Sequence, residues 1–129
     1  MIPRLAVNTS MSLLYWHIGK RIFEEEQEGK DRADYGMFLI KYLSEQLQPE
    51  FGSGFSVRQI NLYRQFYRTF ENVPTLYAQL SWSQYKLLLS VDSQDKRVFY
   101  IAGTIKNNWT LRQLERQIYS HLYERLLLS

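Results

Sequence analysis

The stretch "FSVRQINLYRQFY", residues 55–67, decides how the chain is read. Ser56 and Gln59, three apart, have the spacing of a capping box, in which the serine hydroxyl takes an orphan amide and the glutamine reaches back to another. Phe55 before the cap and Ile60 beyond it add a hydrophobic staple. Downstream, Ile60, Tyr63, Phe66, Tyr67 and Phe70 follow at steps of three, three, one and three. That spacing predicts a helix from Ser56 to about Phe70 with one aromatic face.

The same start occurs twice more. Ser81-x-x-Gln84 with Leu80 and Tyr85, and Thr110-x-x-Gln113 with Trp109 and Leu114, predict helices over about Ser81 to Val91 and from Thr110 to the end. The likeness of "FSVRQI" to "WTLRQL" raises an internal repeat. The second apolar stripe, Leu111, Leu114, Ile118, Leu122 and Leu126, is nevertheless rotated by roughly a third of a turn relative to its cap. Shared capping chemistry explains the likeness better than duplication.

Working outward, Val7, Met11, Leu14, Ile18 and Ile22 set a helical stripe over about Leu5 to Glu28, widened by Trp16 and Phe23. Its tail "EEEQEG" reads as a solvated acidic end with Gly29 as C-cap. Asp34 can cap a second helix that presents Leu39, Leu43 and Leu47 and ends at Pro49, and "PEFGSG" reads as a turn. One more helix is expected over about Ser93 to Lys106, joined to the last by the short "KNNW" turn, as in a helix-turn-helix or an αα-hairpin. No run of alternating β-branched residues predicts a strand. The expected fold is therefore all-α, a compact bundle of about six helices with helix-turn-helix-like elements. It is read as one domain over residues 1–129, with a possible subdivision at 1–78 and 79–129.

Composition narrows the function. With 45% apolar residues and 16% aromatics in 129 residues, the chain can build a core. It has no cysteine, so no disulfide framework or thiolate metal site, and its longest apolar runs fall far short of the roughly 20 residues that span a bilayer. Cytoplasm is the expected compartment, with no membrane partner. Charge is uneven: residues 1–50 carry six Lys/Arg against eight Asp/Glu, net −2, and residues 51–129 carry ten against five, net +5. The basic second part favours an anionic partner.

On the side of the 56–70 helix opposite its aromatics lie Arg58, Asn61, Gln65 and Arg68, flanked by Arg64, with no acid among them. Guanidinium groups suit phosphates and guanine edges, and Asn or Gln can read adenine. Arg112 and Arg116 form a second basic pair on the last helix. Like charges four apart, as in Arg64/Arg68 and Arg112/Arg116, cost an isolated helix about 0.2–0.5 kcal/mol, which an anionic partner or the acids Glu71 and Glu115 could relieve. These seven residues are the candidate nucleic-acid contacts. Catalytic and metal constellations are missing: His17 and His121 sit on separate helices without paired ligand spacing, and "FGSGF" lacks the strand and Lys-Ser/Thr of a phosphate loop. No cofactor is expected, and the chain reads as non-enzymatic.

Taken together, "LLYWHIGKRI", "YGMFLIKYLSEQLQPEFGSGFSVRQINLYRQFY", "LSWSQYKLLLSVD" and "NWTLRQLERQIYSHLYERL" resemble, in order and spacing, the N-terminal domain of the YhcG family over almost the whole chain. The resemblance implies a helix-turn-helix-type module ahead of a Mg²⁺-dependent PD-(D/E)XK nuclease domain in bacterial proteins. That nuclease motif has no counterpart here, so the chain is expected to be a fragment. The implied role is a module that targets the nuclease to DNA, with the nuclease domain of the same parent as a further partner. The alternative is an oligomerisation or protein-interaction module without direct DNA contact, for which a homodimer is the simplest form.

Overall fold

The computed structural model describes residues 4–28, 35–71, 73 and 79–129, with side chains from residue 11 onward. These residues form seven helices, α1 (Arg4–Glu28), α2 (Tyr35–Phe51), α3 (Val57–Thr69), α4 (Trp82–Leu89), α5 (Gln94–Asn107), α6 (Leu111–Tyr119) and α7 (Leu122–Leu128), with a 3-10 turn at Ser53–Phe55. No strand occurs among the described residues, and the all-α class is as expected. The expected caps Gly29 and Asp34 lie outside them. Two compact units divide the chain: a middle unit, Leu13–Val73, and a terminal unit of Met1–Ser12 with Pro74–Ser129.

In the middle unit the predicted stripe of α3 is the core. Ile60, Tyr63, Phe66 and Phe70 are buried, and Ile60 joins Ile22 of α1 and Ile40 of α2 in a cluster packed round by Ile18, Leu39, Leu43 and Phe55. α1 crosses α3 at Gly19, where a Cβ would stand 1.9 Å from the Tyr63 carbonyl oxygen. Only a residue without a side chain permits that approach. Tyr15 stacks on Tyr63, with ring centroids 4.3 Å apart, and the Tyr63 hydroxyl donates to the Gly54 carbonyl at 2.8 Å.

Two local expectations need correction here. Pro49 does not end α2, which runs on to Phe51. Proline forfeits one backbone bond, to the carbonyl of Glu45, and near a helix end at an exposed residue water can take that carbonyl. The stop is Gly52, at φ +88°, whose N–H donates to the Gln48 carbonyl at 2.7 Å. The capping box at Ser56 is only half made: its hydroxyl accepts from the Gln59 amide at 3.2 Å, but its own N–H already donates to the Ser53 carbonyl to close the 3-10 turn. Gln59 therefore has no donor to reach back to.

Both boxes of the terminal unit are complete. Gln84 does more than cap: its Oε1 accepts from the Ser81 amide at 2.9 Å while its Nε2 donates to the Trp109 carbonyl at 2.8 Å. One buried side chain thus ties the start of α4 to the residue ahead of the α6 cap. α5 starts on Ser93, whose hydroxyl accepts from Lys96 N–H, and ends on left-handed Asn108. α6 packs against α4, α5 and α7, and its one buried residue is Leu114.

A single helix from Thr110 to the end is not observed. The chain breaks at Ser120, and His121 takes φ +59° before α7 begins. Histidine is among the non-glycine residues that visit this region. Buried Tyr100 holds the break: its hydroxyl accepts from the Tyr123 amide at 3.2 Å and donates to the Gln117 carbonyl at 3.5 Å, serving one orphan group of each helix end. Arg125 Nε adds a bond to the Ser120 carbonyl at 2.9 Å.

α7 is also held by charge. Lys96 Nζ lies 2.9 Å from Glu124 and 3.1 Å from Asp92. The hydrogen-bonded ammonium holds both carboxyls below their ordinary values, and the two carboxylates, Glu124 first, hold the ammonium up. A depressed carboxyl contributes stability above its unfolded value, here 4.5 for Glu124, and that contribution is lost as pH falls through the folded value. Urea midpoints measured from about pH 6 to about pH 3 should therefore fall, with a shallower fall for Glu124→Gln. An identical pH dependence in that variant would show that Glu124 is not the group responsible.

Among the described residues no helix is long and apolar enough to cross a membrane.

Candidate nucleic-acid interface

The basic face of α3 follows from its cap and its stripe. With the aromatics committed to the core, Arg58, Asn61, Gln65 and Arg68 fall within about 80° of arc at 100° per residue, and all four are exposed. Arg58 to Arg68 spans about 15 Å of helix. Neither arginine has an ion-pair partner among the described residues. Arg68 lies over the Phe23 ring, 5.6 Å from its centroid, a contact that limits where the guanidinium can go while leaving its edge open.

Arg64 behaves differently from its neighbours. It turns onto Glu26 of α1, and its Nε donates to both carboxylate oxygens at 2.6 and 2.7 Å. The Glu26 side chain retains only 10% of its exposure. The acidic tail of α1 is thus not wholly solvated, as its composition had implied. Glu26 lies four residues beyond buried Ile22, and that spacing is the signal that places it on the inward side. Charge-assisted bonds of this length are among the stronger ones available, so Arg64 is engaged within the unit. Neither Glu71 with Arg68 nor Glu115 with Arg112 forms an ion pair.

Asn61 is partly engaged as well. Its Nδ2 donates to the Val57 carbonyl one turn back at 3.1 Å. Gln65 carries no such bond. On α6, Arg112 and Arg116 are exposed one turn apart on the side away from buried Leu114. α3 belongs to the middle unit and α6 to the terminal unit, so the seven candidates are divided between the two units, five and two.

The connection into α6 is short: Asn108, Trp109 and Thr110 join α5 to α6, with Asn108 left-handed at φ 52° and Thr110 as the N-cap. Among the described residues no three His, Asp or Glu side chains come together as a metal-ligand set. His17 is exposed, and His121 Nδ1 lies 3.7 Å from Glu124 Oε2.

Comparison with known proteins gives one family and one curated relative. The family described as DUF1016 N-terminal domain matches residues 4–125. The protein of Escherichia coli (strain K12) named "Putative nuclease YhcG" is 37% identical across 96% of this chain and 42% of its own length. The chain thus spans less than half of that relative. No solved structure matches at a significant level.

Proposed function

Because this chain belongs to the family of DUF1016 N-terminal domains, one relative of which carries the name of a nuclease, we propose that it is a nucleic-acid-binding module that targets a nuclease to DNA. The observation that carries the reading is the division of labour on α3. Arg64 is neutralised by Glu26, whereas Arg58 and Arg68, on the exposed side, pair with no acid among the described residues. Two exposed guanidinium groups beside Asn61 and Gln65 are the composition of a surface that positions on phosphates and can touch base edges. Arg112 and Arg116 of α6, behind a three-residue turn, are the second contact set, in the outline of a helix-turn-helix reader.

Each phosphate neutralised contributes about −0.9 to the log-log salt slope, so engagement of Arg58 and Arg68 adds about −1.8 and engagement of Arg112 and Arg116 the same again. Fluorescence anisotropy with a labelled duplex at several salt concentrations reads this directly. Arg58→Gln with Arg68→Gln should weaken binding and flatten the slope by about 1.8, and Arg112→Gln with Arg116→Gln should do likewise. A pair whose replacement leaves both affinity and slope unchanged is not a contact set. Arg64→Gln should lower stability through Glu26 while leaving the slope nearly unaltered, which separates a structural arginine from a binding one.

A further inference from the structure

We propose that the outward face of α2 is a self-association surface, on which a second copy of this chain packs its own α2 antiparallel. On that face Met37, Phe38 and Tyr42 keep 75%, 71% and 59% of their exposure, while Ile40 and Ser44 are buried on the other side. Three large apolar side chains in two turns form a contiguous patch, unlike an isolated surface hydrophobe. Phe38, Lys41, Tyr42, Glu45 and Pro49 fall within about 100° of arc, with Met37 at the flank.

The charges identify the occupant. Neither Lys41 nor Glu45 forms an ion pair among the described residues. In an antiparallel pair related by a two-fold axis, the interface meets its own sequence reversed. With the axis beside residue 43, reversal brings Lys41 of each copy to Glu45 of the other. It brings Phe38 to Gln48 and Met37 to Pro49, with the two Tyr42 rings adjacent at the centre. A face that reads apolar, Lys, Tyr, Glu, Pro is complementary to its own reversal, which no surface of one charge sign would be. The strip from Met37 to Pro49 is about 18 Å long and one helix wide, well short of the roughly 800 Å² per partner of a stable interface. The pairing is therefore weak and concentration-dependent. It does not rest on the nucleic-acid reading: oligomeric state and duplex affinity are separate measurements, and either can fail alone.

Sedimentation equilibrium of the chain over a wide concentration range, without nucleic acid, tests the surface. The average mass should rise with concentration toward twice that of one chain, and Phe38→Glu should keep it at one. Lys41→Glu and Glu45→Lys should each weaken association about tenfold, since each breaks two symmetric pairs. The double variant Lys41→Glu, Glu45→Lys should restore it, because the exchanged charges still meet their opposites. Thermal melts of each variant, unchanged within a few degrees, confirm that the fold is intact. A chain that remains monomeric throughout would overturn the proposal. So would a dimer that survives Phe38→Glu and is lost on Leu127→Asp, at an exposed leucine of α7, or single charge variants that the double variant does not rescue.

Discussion

Gly19→Ala should abolish the cooperative unfolding transition of the middle unit or lower its midpoint by more than about 10 °C. Two opposed effects meet at this position. Alanine in a helix interior is favoured over glycine by about 1 kcal/mol, which by itself would stabilise α1. The added Cβ, however, would lie 1.9 Å from the Tyr63 carbonyl oxygen, 2.6 Å from its carbon and 3.1 Å from Tyr67 Cβ. The first two are backbone atoms of α3 and have no rotamer through which to move aside. Relief requires the two helices to part by more than 1 Å, and packed interiors do not absorb such a gap cheaply. What would loosen includes the contacts of Trp16 and Phe23 with Tyr67 and the Tyr15–Tyr63 stack. We expect a net cost of about 3–5 kcal/mol, at the upper end for a single residue, because overpacking against a backbone exceeds the usual side-chain case. Circular dichroism during thermal and urea unfolding measures it. A variant within a few degrees of the parent would mean that α1 and α3 do not approach this closely.

Helix starts were legible in the sequence because capping is local. Ser56, Ser81 and Thr110 announce their helices within four residues, and all three hydroxyls accept the expected amide. Helix ends were less legible. Whether Pro49 stops a helix depends on what serves the freed carbonyl, and Gly52, three residues later in the chain, carries the positive φ that does the stopping. The break at His121 was hidden for the same reason. The leucines on either side keep helical spacing, and what bends the chain is the Tyr100 hydroxyl, delivered from α5 more than twenty residues away. Periodicity reports which residues want burial; it does not report a hydrogen bond from another helix.

The candidate interface divides along the same line. Exposure of Arg58, Asn61, Gln65 and Arg68 followed from the aromatic stripe, since residues opposite a core face must look outward. The engagement of Arg64 did not follow, because its acid comes from α1, 38 residues earlier, in a run of glutamates that composition treats alike. Only the spacing of Glu26 from Ile22 distinguishes it from Glu24 and Glu28, both exposed. The placement of Phe23 under Arg68 is likewise a tertiary fact. Charge pattern locates a basic face, and tertiary pairing then removes members from it.

Trp16→Ala should cost about 3–5 kcal/mol, and comparison with Trp16→Phe should show how that loss is made up. Trp16 is buried, 5.1 Å by ring centroid from Tyr67, and its Nε1 donates to the Phe70 carbonyl at 2.6 Å. Phe70 is the C-cap of α3, so this carbonyl belongs to the group that a helix end leaves without internal partners. Phenylalanine keeps most of the ring volume and removes the donor. That variant isolates the cost of a buried carbonyl left unsatisfied, about 1–3 kcal/mol. Alanine adds the lost transfer energy and a cavity beside Tyr67, so the difference between the two variants measures packing alone. The order matters: if the hydrogen bond dominates, the two midpoints will nearly coincide, and if packing dominates, Trp16→Phe will stay close to the parent. We expect neither extreme, with Trp16→Phe at about a third to a half of the full loss. Trp16 and Gly19 lie one turn apart on α1 and both bear on α3, so combining their variants should give less than the sum of the separate losses. Strict additivity would indicate that the two contacts act on α3 independently, contrary to the single packed interface described above.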